Sequence, residues 1–573
     1  MRTVGQDPAW LALAAFVPLP SAAMSNEKPT DRLDSWKAIA NYLGKSVRTA
    51  RRWEAEEGLP VHRQMHKAQG SAYAYRSEID AWRQRMAAPA PTAAKPEGSL
   101  PAPAGPAGDP DRSVAVLPFS YLGRDERNAY IADGFTAEII TGLSRIRSLR
   151  VISWTSSMTL KGRARSAREV GSELGVERIV EGTVQHEGAQ IRVSARLVNV
   201  HSDDRVWSNA YAGELDKLFA IQERLAREVA AFLDLSAPAA PGDRLTDQPM
   251  VDVTAWRCLV QARQAALRWQ HDSIDRAVEL LHQGISLAPD DARLHAALGR
   301  TWLHYREIGA DLSERPLIEA RTCAARVFAL QPGLAAGHQL AGWIHYAEAD
   351  IQAAVRALKT AVAAEPWEPD TLSLLANCYL ISGRTAEAAP LIEQLVSVDP
   401  LTPLTHCMPG WAAAIEGDFA AAIGPYREMF TMDPANPLAR LFLVYILAAA
   451  GRREEARRLG VETPAATRDA LPGRLLALFA HGLDHTGAAP APAIDSRLLA
   501  QGTEVLPRFL AQAYALAGAA DEAVRWASVA VDRGFINYPF LARHDPFLST
   551  LVGTPAYDDL LERVKAAWEG FEP

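Results

Sequence analysis

Basic side chains between residues 45 and 67 are the first group in the sequence whose types and spacing could do chemistry. Guanidinium and ammonium groups bind phosphate oxygens, and arginine also pairs with the edge of guanine. Hydroxyl side chains at the start of the same predicted helix can cap it and contact phosphate. Together these side chains predict a surface for double-stranded DNA, made of Lys45, Ser46, Arg48, Thr49, Arg51, Arg52, Arg63 and Lys67.

A second group of side chains recurs every 34 residues in the carboxy-terminal half of the chain: Trp343, Asn377, Trp411 and Tyr445. An asparagine amide can bond the backbone of an extended peptide, and aromatic rings can pack its side chains. We expect these four residues to line a groove for an unidentified protein partner. The alternative is that they are half-buried packing residues between repeats.

Catalytic, cofactor and metal-binding patterns are not found in the sequence. Gly44-Lys45-Ser46 resembles the end of a phosphate-binding loop, but Ile39 stands at the place of its first glycine. His62 and His66 lie in a predicted strand and turn without a third ligand, and the four cysteines are far apart. We therefore predict a chain that is not an enzyme, with no cofactor and no metal site.

Residues 31–86 are expected to position the basic group. Trp36, Ile39, Ala40 and Leu43 follow the spacing of one helical face, and Ser46 can cap a second helix that carries the arginines. Two alternating segments flank a turn near Gln69-Gly70 and predict a hairpin, and a third helix follows Ser77. This region has a net charge of about +4 in a chain of formal charge −8.

The phrases Ser46-Val47-Arg48-Thr49, Glu57-Gly58-Leu59-Pro60 and Tyr75-Arg76-Ser77-Glu78 resemble the winged helix-turn-helix of the MerR and excisionase group. That resemblance implies that Arg48, Thr49 and Arg52 contact bases or phosphates, and that Arg63 and Lys67 on the wing contact phosphates. One departure is that prolines begin at Pro89, where MerR-type regulators continue into a dimerising helix. The promoter-twisting mechanism of that group is therefore not expected here.

Two segments of the amino-terminal part are predicted to be unpacked. Residues 87–111 contain seven prolines among small residues, which is typical of an extended linker. Residues 1–30 are interpreted as a disordered extension or a misassigned start, with translation beginning at Met24. The alternative is a signal peptide, because the apolar run Trp10–Val17 precedes Ser21-Ala22-Ala23. No apolar stretch reaches the ~20 residues of a membrane span, and a cytoplasmic location is expected.

Residues 112–236 predict a small α/β sandwich, with a buried strand from Ser113, a second strand over 149–154, helices near 126–146, 167–174 and 215–235, and three later strands. Val114-Ala-Val-Leu-Pro-Phe119 and Glu181-Gly182-Thr183-Val184 resemble the FlgO/TolB amino-terminal-like domain of bacterial signalling proteins. The resemblance implies a binding or docking role. Asp133-Gly134 is interpreted as a helix kink rather than a catalytic acid.

Residues 250–573 are expected to form an α-solenoid. Pro332, Pro366, Pro400 and Pro434 are 34 residues apart, and small residues recur where paired helices must approach closely. This region resembles tetratricopeptide repeats, with degenerate copies towards the carboxy terminus. Such arrays stack helix pairs into a superhelix with a concave binding face.

The predicted fold class is a multidomain, mostly α-helical chain with a winged helix-turn-helix, a small α/β sandwich and a repeat solenoid. We expect a bacterial DNA-binding regulator, with a homodimer bound to paired half-sites, in which the repeats take a protein partner. The alternative is a non-enzymatic scaffold or envelope-associated adaptor whose amino-terminal fold docks protein rather than DNA.

Overall fold

The computed structural model describes residues 32–33, 35–43, 45, 47, 59–66, 69–76, 79, 112–146, 148–163, 165–233, 252–266, 271–307, 311, 313–462, 471–484 and 503–573. The described residues fall into two compact units, one made of those up to residue 103 and one made of those from residue 104 onwards. The predicted extension 1–30 and linker 87–111 lie outside the described residues.

The amino-terminal unit contains a helix and a small antiparallel sheet in the order β1-β3-β2. Its elements are β1 (Arg32–Leu33), α1 (Trp36–Leu43), β2 (His62–His66) and β3 (Gln69–Tyr75). Helix α1 begins where the Ser35 hydroxyl accepts the Ala38 N–H at 3.1 Å, and its Ile39 and Leu43 side chains are buried. The predicted hairpin is confirmed, with pairing from His62–Tyr73 to His66–Gln69. The predicted second and third helices lie outside the described residues, apart from Val47 and Ile79.

The middle part of the chain contains a six-stranded mixed sheet. Strands β4 (Ser113–Val116) and β6 (Arg150–Val151) are parallel neighbours, and β7, β8 and β9 form an antiparallel meander. The remaining elements are β5 (Ser120–Tyr121), α2 (Tyr130–Ser144), α3 (Trp154–Met158), α4 (Ala167–Leu174), β7 (Arg178–Glu187), β8 (Gln190–Asn199), β9 (Arg205–Glu214) and α5 (Leu218–Phe232). The strand predicted over 149–154 is shorter, because the Ser153 side chain caps α3.

Sixteen α-helices of the described residues follow the sheet, most of them as antiparallel pairs. They are α6 (Val253–Ala266), α7 (His271–Leu287), α8 (Ala292–Glu307), α9 (Arg315–Leu330), α10 (Ala335–Ala347), α11 (Ile351–Ala364), α12 (Pro369–Ile381), α13 (Thr385–Val398), α14 (Pro403–Ile415), α15 (Phe419–Met432), α16 (Pro437–Ala449), α17 (Arg453–Val461), α18 (Leu471–Asp484), α19 (Val505–Leu516), α20 (Ala520–Asp532) and α21 (Pro555–Glu569). Among the described residues, no helix is both long and apolar enough to cross a bilayer.

The turn inside each central helix pair has the same backbone conformation. Ala349, Gly383, Gly417 and Gly451 are 34 residues apart, and each has a positive φ, between 64° and 88°. Left-handed backbone at this position ends the first helix and lets the second return antiparallel to it. The predicted 34-residue period is therefore confirmed in the geometry of the turns as well as in the helices.

The α/β part and the repeats share one hydrophobic core, which runs from Val114 to Ile344. Gly134 on α2 is at the closest point: a Cβ there would lie 2.7 Å from a methyl of Val260 and 2.8 Å from the ring of Trp256. Asp133 and Gly134 both lie within α2, and the expected kink at these residues stays a prediction. The glycine is needed for the close approach of α6.

Candidate functional site

Most of the predicted DNA-binding residues lie outside the described residues: Ser46, Arg48, Thr49, Arg51, Arg52 and Lys67. Lys45 is described, and it is exposed just after α1. Arg63 lies in β2, paired with Ala72. The hairpin is thus in place, whereas the predicted DNA surface as a whole stays a prediction.

His62 belongs to an aromatic group on the hairpin. Its ring stacks on Tyr73 with centroids 5.2 Å apart and meets the edge of Tyr75 at 5.8 Å. An imidazole held between two phenol rings is positioned by packing across the strands.

The four residues predicted to line the repeat groove do meet at one cavity of about 820 Å³. They come from the first helices of four successive pairs, α10, α12, α14 and α16. The 34-residue spacing places them side by side along the inner face of the array. The four residues thus line one cavity, and their binding of a protein partner stays a prediction.

Tyr445 differs from the prediction because its own chain covers it. Its ring is 1% exposed, its hydroxyl donates to the Asp545 carboxylate at 2.9 Å, and Gln512 donates to the Tyr445 oxygen at 3.0 Å. Burial raises the pKa of the Tyr445 phenol well above its ordinary value. Tyr445 is a packing residue in this structure, which corrects its assignment to a partner-binding surface.

Trp343 and Asn377 are more accessible, and both have neighbours within the chain. The Arg300 guanidinium lies 4.0 Å from the centroid of the Trp343 ring. The Asn377 amide donates to the Tyr346 hydroxyl at 3.4 Å, and that hydroxyl donates to the Glu504 carboxylate at 2.8 Å. The segment that contains Glu504 therefore lies across the predicted groove.

Two parts of the chain outside the 34-residue pattern complete the cavity. Helix α2 contributes Glu138, Thr141 and Arg145, and the segment 503–509 contributes Glu504 and Arg508. These positions lie far along the chain from the repeats they face, and no periodic pattern joins them. Tertiary packing alone brings them to the site.

An interdomain contact holds α2 and α3 against the repeats. The buried carboxylate of Asp399 accepts hydrogen bonds from the hydroxyls of Ser153 and Ser156 of the α/β part. Thr402 and Thr405 of the repeats donate to the same carboxylate, each at 2.9 Å. Four hydroxyl donors on one buried carboxylate fix how the two parts pack together.

One wall of the cavity is acidic. Gln339 donates to the Glu368 carboxylate at 2.7 Å, and the Thr371 hydroxyl donates to it at 2.8 Å. Burial and the neighbouring charge of Asp370 raise the pKa of Glu368 to about 8. The charged form of Glu368 is therefore disfavoured inside the cavity.

The cysteines of the repeat helices show no reactive character. Burial raises the thiol pKa values of Cys323 and Cys407 to about 12, which makes both weak nucleophiles at neutral pH.

His271, Asp272 and Asp275 have ligand atoms within 4.8 Å of one another. However, Asp275 is already engaged by the Tyr305 hydroxyl and by the His271 ring at 3.1 Å.

Comparison with known proteins identifies the repeats. A tetratricopeptide repeat family model matches residues 345–404 and 413–478. Among solved structures, a thermophilic tetratricopeptide repeat protein of Thermus thermophilus is similar, with 16% identity and a TM-score of 0.29. The match covers 34% of this chain and 99% of that one.

Two curated relatives match parts of the chain. The putative adenylate cyclase 3 of Rhizobium meliloti (strain 1021) is 33% identical over 216 residues, which are 38% of this chain and 35% of that protein. The cellulose synthase operon protein C of Pseudomonas fluorescens (strain SBW25) is 30% identical over 208 residues, 34% of this chain and 16% of that protein. The chain thus spans about a third of the length of the first relative and less of the second.

The helix pairs, the 34-residue turns and the family model agree on the nature of the carboxy-terminal half. Repeats of this type form scaffolds for protein–protein interaction. The chain contains a tetratricopeptide repeat region.

Proposed function

We propose that the protein is a DNA-binding regulator in which a winged helix-turn-helix is coupled to a protein-binding repeat array. The observation that carries this proposal is the run of basic residues from Lys45 to Arg52, which an antiparallel hairpin follows in the sequence. A recognition helix in the major groove with a hairpin wing on the phosphates has this composition.

The proposed FlgO/TolB-like middle domain has a docking role in this scheme. Its α3 is attached to the repeats through Asp399, so a partner bound to the repeats could act on the α/β part within one compact unit. The proline-rich composition of residues 87–111, which is typical of a spacer, supports the decoupling of that unit from DNA. We therefore propose regulation by recruitment or dimerisation, without catalysis, in the cytoplasm.

Genome-wide DNA capture with the full chain tests the DNA-binding proposal. We expect discrete sites for the wild type and their loss in the Arg48→Ala/Arg52→Ala double variant. In vitro, the slope of log affinity against log salt should fall by about 2, since each lost phosphate contact removes about one unit. The matched control is Arg457→Ala/Arg525→Ala, which removes two exposed arginines from the repeat helices.

The outcomes separate this proposal from its alternative. No enrichment of DNA sites for the wild type would favour a scaffold or adaptor whose amino-terminal fold docks protein. Cleavage after Ala23, detected by amino-terminal sequencing, would favour its export.

Dimerisation has its own test: a full-length monomer that binds one isolated half-site with about nanomolar affinity in physiological salt contradicts the paired-site model.

A further inference from the structure

Arg508 is a buried cation in the wall of the cavity between the α/β part and the repeats. It is 5% exposed, and its guanidinium lies 4.2 Å from the centroid of the Trp411 ring and 4.7 Å from that of Phe509. Within the described part of the chain, its Nε and Nη1 atoms have no hydrogen-bond acceptor. Aromatic faces stabilise a guanidinium in part, but they leave its N–H donors unsatisfied.

Two carboxylates of this region, Glu504 and Asp545, accept hydrogen bonds from other residues. Glu504 accepts the hydroxyl of Tyr346 at 2.8 Å, and Asp545 accepts Tyr445 at 2.9 Å and Gln512 at 2.6 Å. Burial raises the pKa of both carboxyl groups, and the charge of Arg508 partly offsets that rise at Glu504. A buried charge without a bonded partner is costly, so a ligand that supplies an acceptor gains that free energy.

The surroundings of the guanidinium define the rest of the ligand. Met408, Leu438, Phe442 and Phe509 also line the cavity and give it an apolar wall. A cavity of about 820 Å³ is within the ~300–1,000 Å³ that drug-sized molecules occupy. The exposed residues Thr141 and Asp370 in the lining mark where the cavity meets solvent.

We propose that this cavity binds a small organic acid, with its carboxylate on the Arg508 guanidinium and an aromatic or aliphatic body against the apolar wall. A carboxylate matches the two parallel N–H donors of arginine and can form a bidentate pair. The segment 503–509 thus adds a ligand-binding residue to the repeat scaffold, independently of whether the chain binds DNA.

Calorimetry on the full-length protein tests the proposal with four acids: 3-phenylpropionate, 4-phenylbutyrate, indole-3-acetate and octanoate. Each acid is compared with its own neutral amide, which keeps the body and removes the charge. We expect at least one acid to bind the wild type about tenfold more tightly than its amide. This comparison needs no variant, so it stands even where a change at Arg508 affects folding.

Substitutions then assign the preference to Arg508. Arg508→Gln should abolish the difference between acid and amide, and Arg508→Lys should keep part of it, since lysine retains the charge but lacks the planar fork. The matched control is Arg525→Gln, which removes an arginine stacked on Trp526 at 4.7 Å outside the cavity. The control should leave the acid affinity unchanged.

A last comparison distinguishes the source of the carboxylate. The peptide acetyl-Ala-Ala-Ala-Trp is titrated with a free carboxy terminus and as its amide. If only the peptide acid binds more tightly than its amide, and no small acid binds with a Kd below about 5 mM, the proposal is overturned in favour of a polypeptide carboxy terminus. Equal binding of every acid and its amide, or an acid preference that survives Arg508→Gln, overturns it as well.

Discussion

The Ser156 hydroxyl donates a 2.7 Å hydrogen bond to the buried carboxylate of Asp399, 243 residues further along the chain. The Ser153 N–H donates to the Val398 carbonyl at 2.7 Å beside it. These contacts join the α/β part to the repeat array. The cavity depends on this docking, since one of its walls comes from α2 and another from the repeats.

Asp399→Asn should weaken the docking of the two parts. The amide nitrogen that replaces one carboxylate oxygen cannot accept the hydroxyl bonds made to that oxygen, so we expect a loss of about 1–3 kcal/mol. Thermal unfolding and hydrogen exchange of α3 measure the effect. Asp433→Asn is the control, because Asp433 occupies the same position one repeat further on. A larger loss in Asp433→Asn than in Asp399→Asn contradicts the docking role.

Gly134→Ala should disturb the contact between α2 and α6. The new Cβ would overlap Val260 and Trp256, and overpacking of this kind costs about 1–3 kcal/mol. Gly424→Ala is a matched control in α15, where a new Cβ meets nothing within 4 Å, and it should be neutral or stabilising by up to about 1 kcal/mol. Denaturant unfolding of the two variants should show opposite signs, and equal shifts would refute the close-approach explanation.

The array could be predicted from the sequence far better than the cavity it forms. Proline and small-residue positions repeat with the helix pairs, so Trp343 and Asn377 could be placed on one face by counting. The same pattern could not show that Tyr445 is covered, because its partner Asp545 lies in a segment without the 34-residue period. Arg508 gave no signal either, since its role depends on packing across distant parts of the chain.

Glu368 should make stability depend on pH. Its pKa rises from an ordinary 4.5 to about 8 in the folded protein because of burial and the charge of Asp370. Between those values the unfolded chain binds fewer protons than the folded one, so stability falls as pH rises through this window. Glu368→Gln should flatten the dependence of the melting temperature on pH between about 5 and 8.

The control for this prediction is Glu393→Gln, an exposed position on α13. It should leave the pH profile of the melting temperature as it is in the wild type. A Glu368→Gln profile that keeps the full slope of the wild-type profile would show that the carboxyl group of Glu368 does not bind its proton more tightly in the folded state.

Ala349 is expected to carry backbone strain. It has φ 64° at the turn where the next three repeats have glycine, and left-handed backbone costs a residue with a Cβ about 1–2 kcal/mol. Ala349→Gly should therefore stabilise the protein by about 0.5–1 kcal/mol, after the greater freedom of glycine in the unfolded chain is deducted.

The reverse change at an equivalent turn completes the test. Gly451 has φ 78° and open space around a new Cβ, so Gly451→Ala should destabilise the protein by about 1 kcal/mol through backbone strain alone. Urea unfolding of both variants measures the pair. Because the positions are three repeats apart, the two effects should add in the double variant. Destabilisation by Ala349→Gly would mean that the Ala349 methyl contributes more through its contacts than its backbone conformation costs.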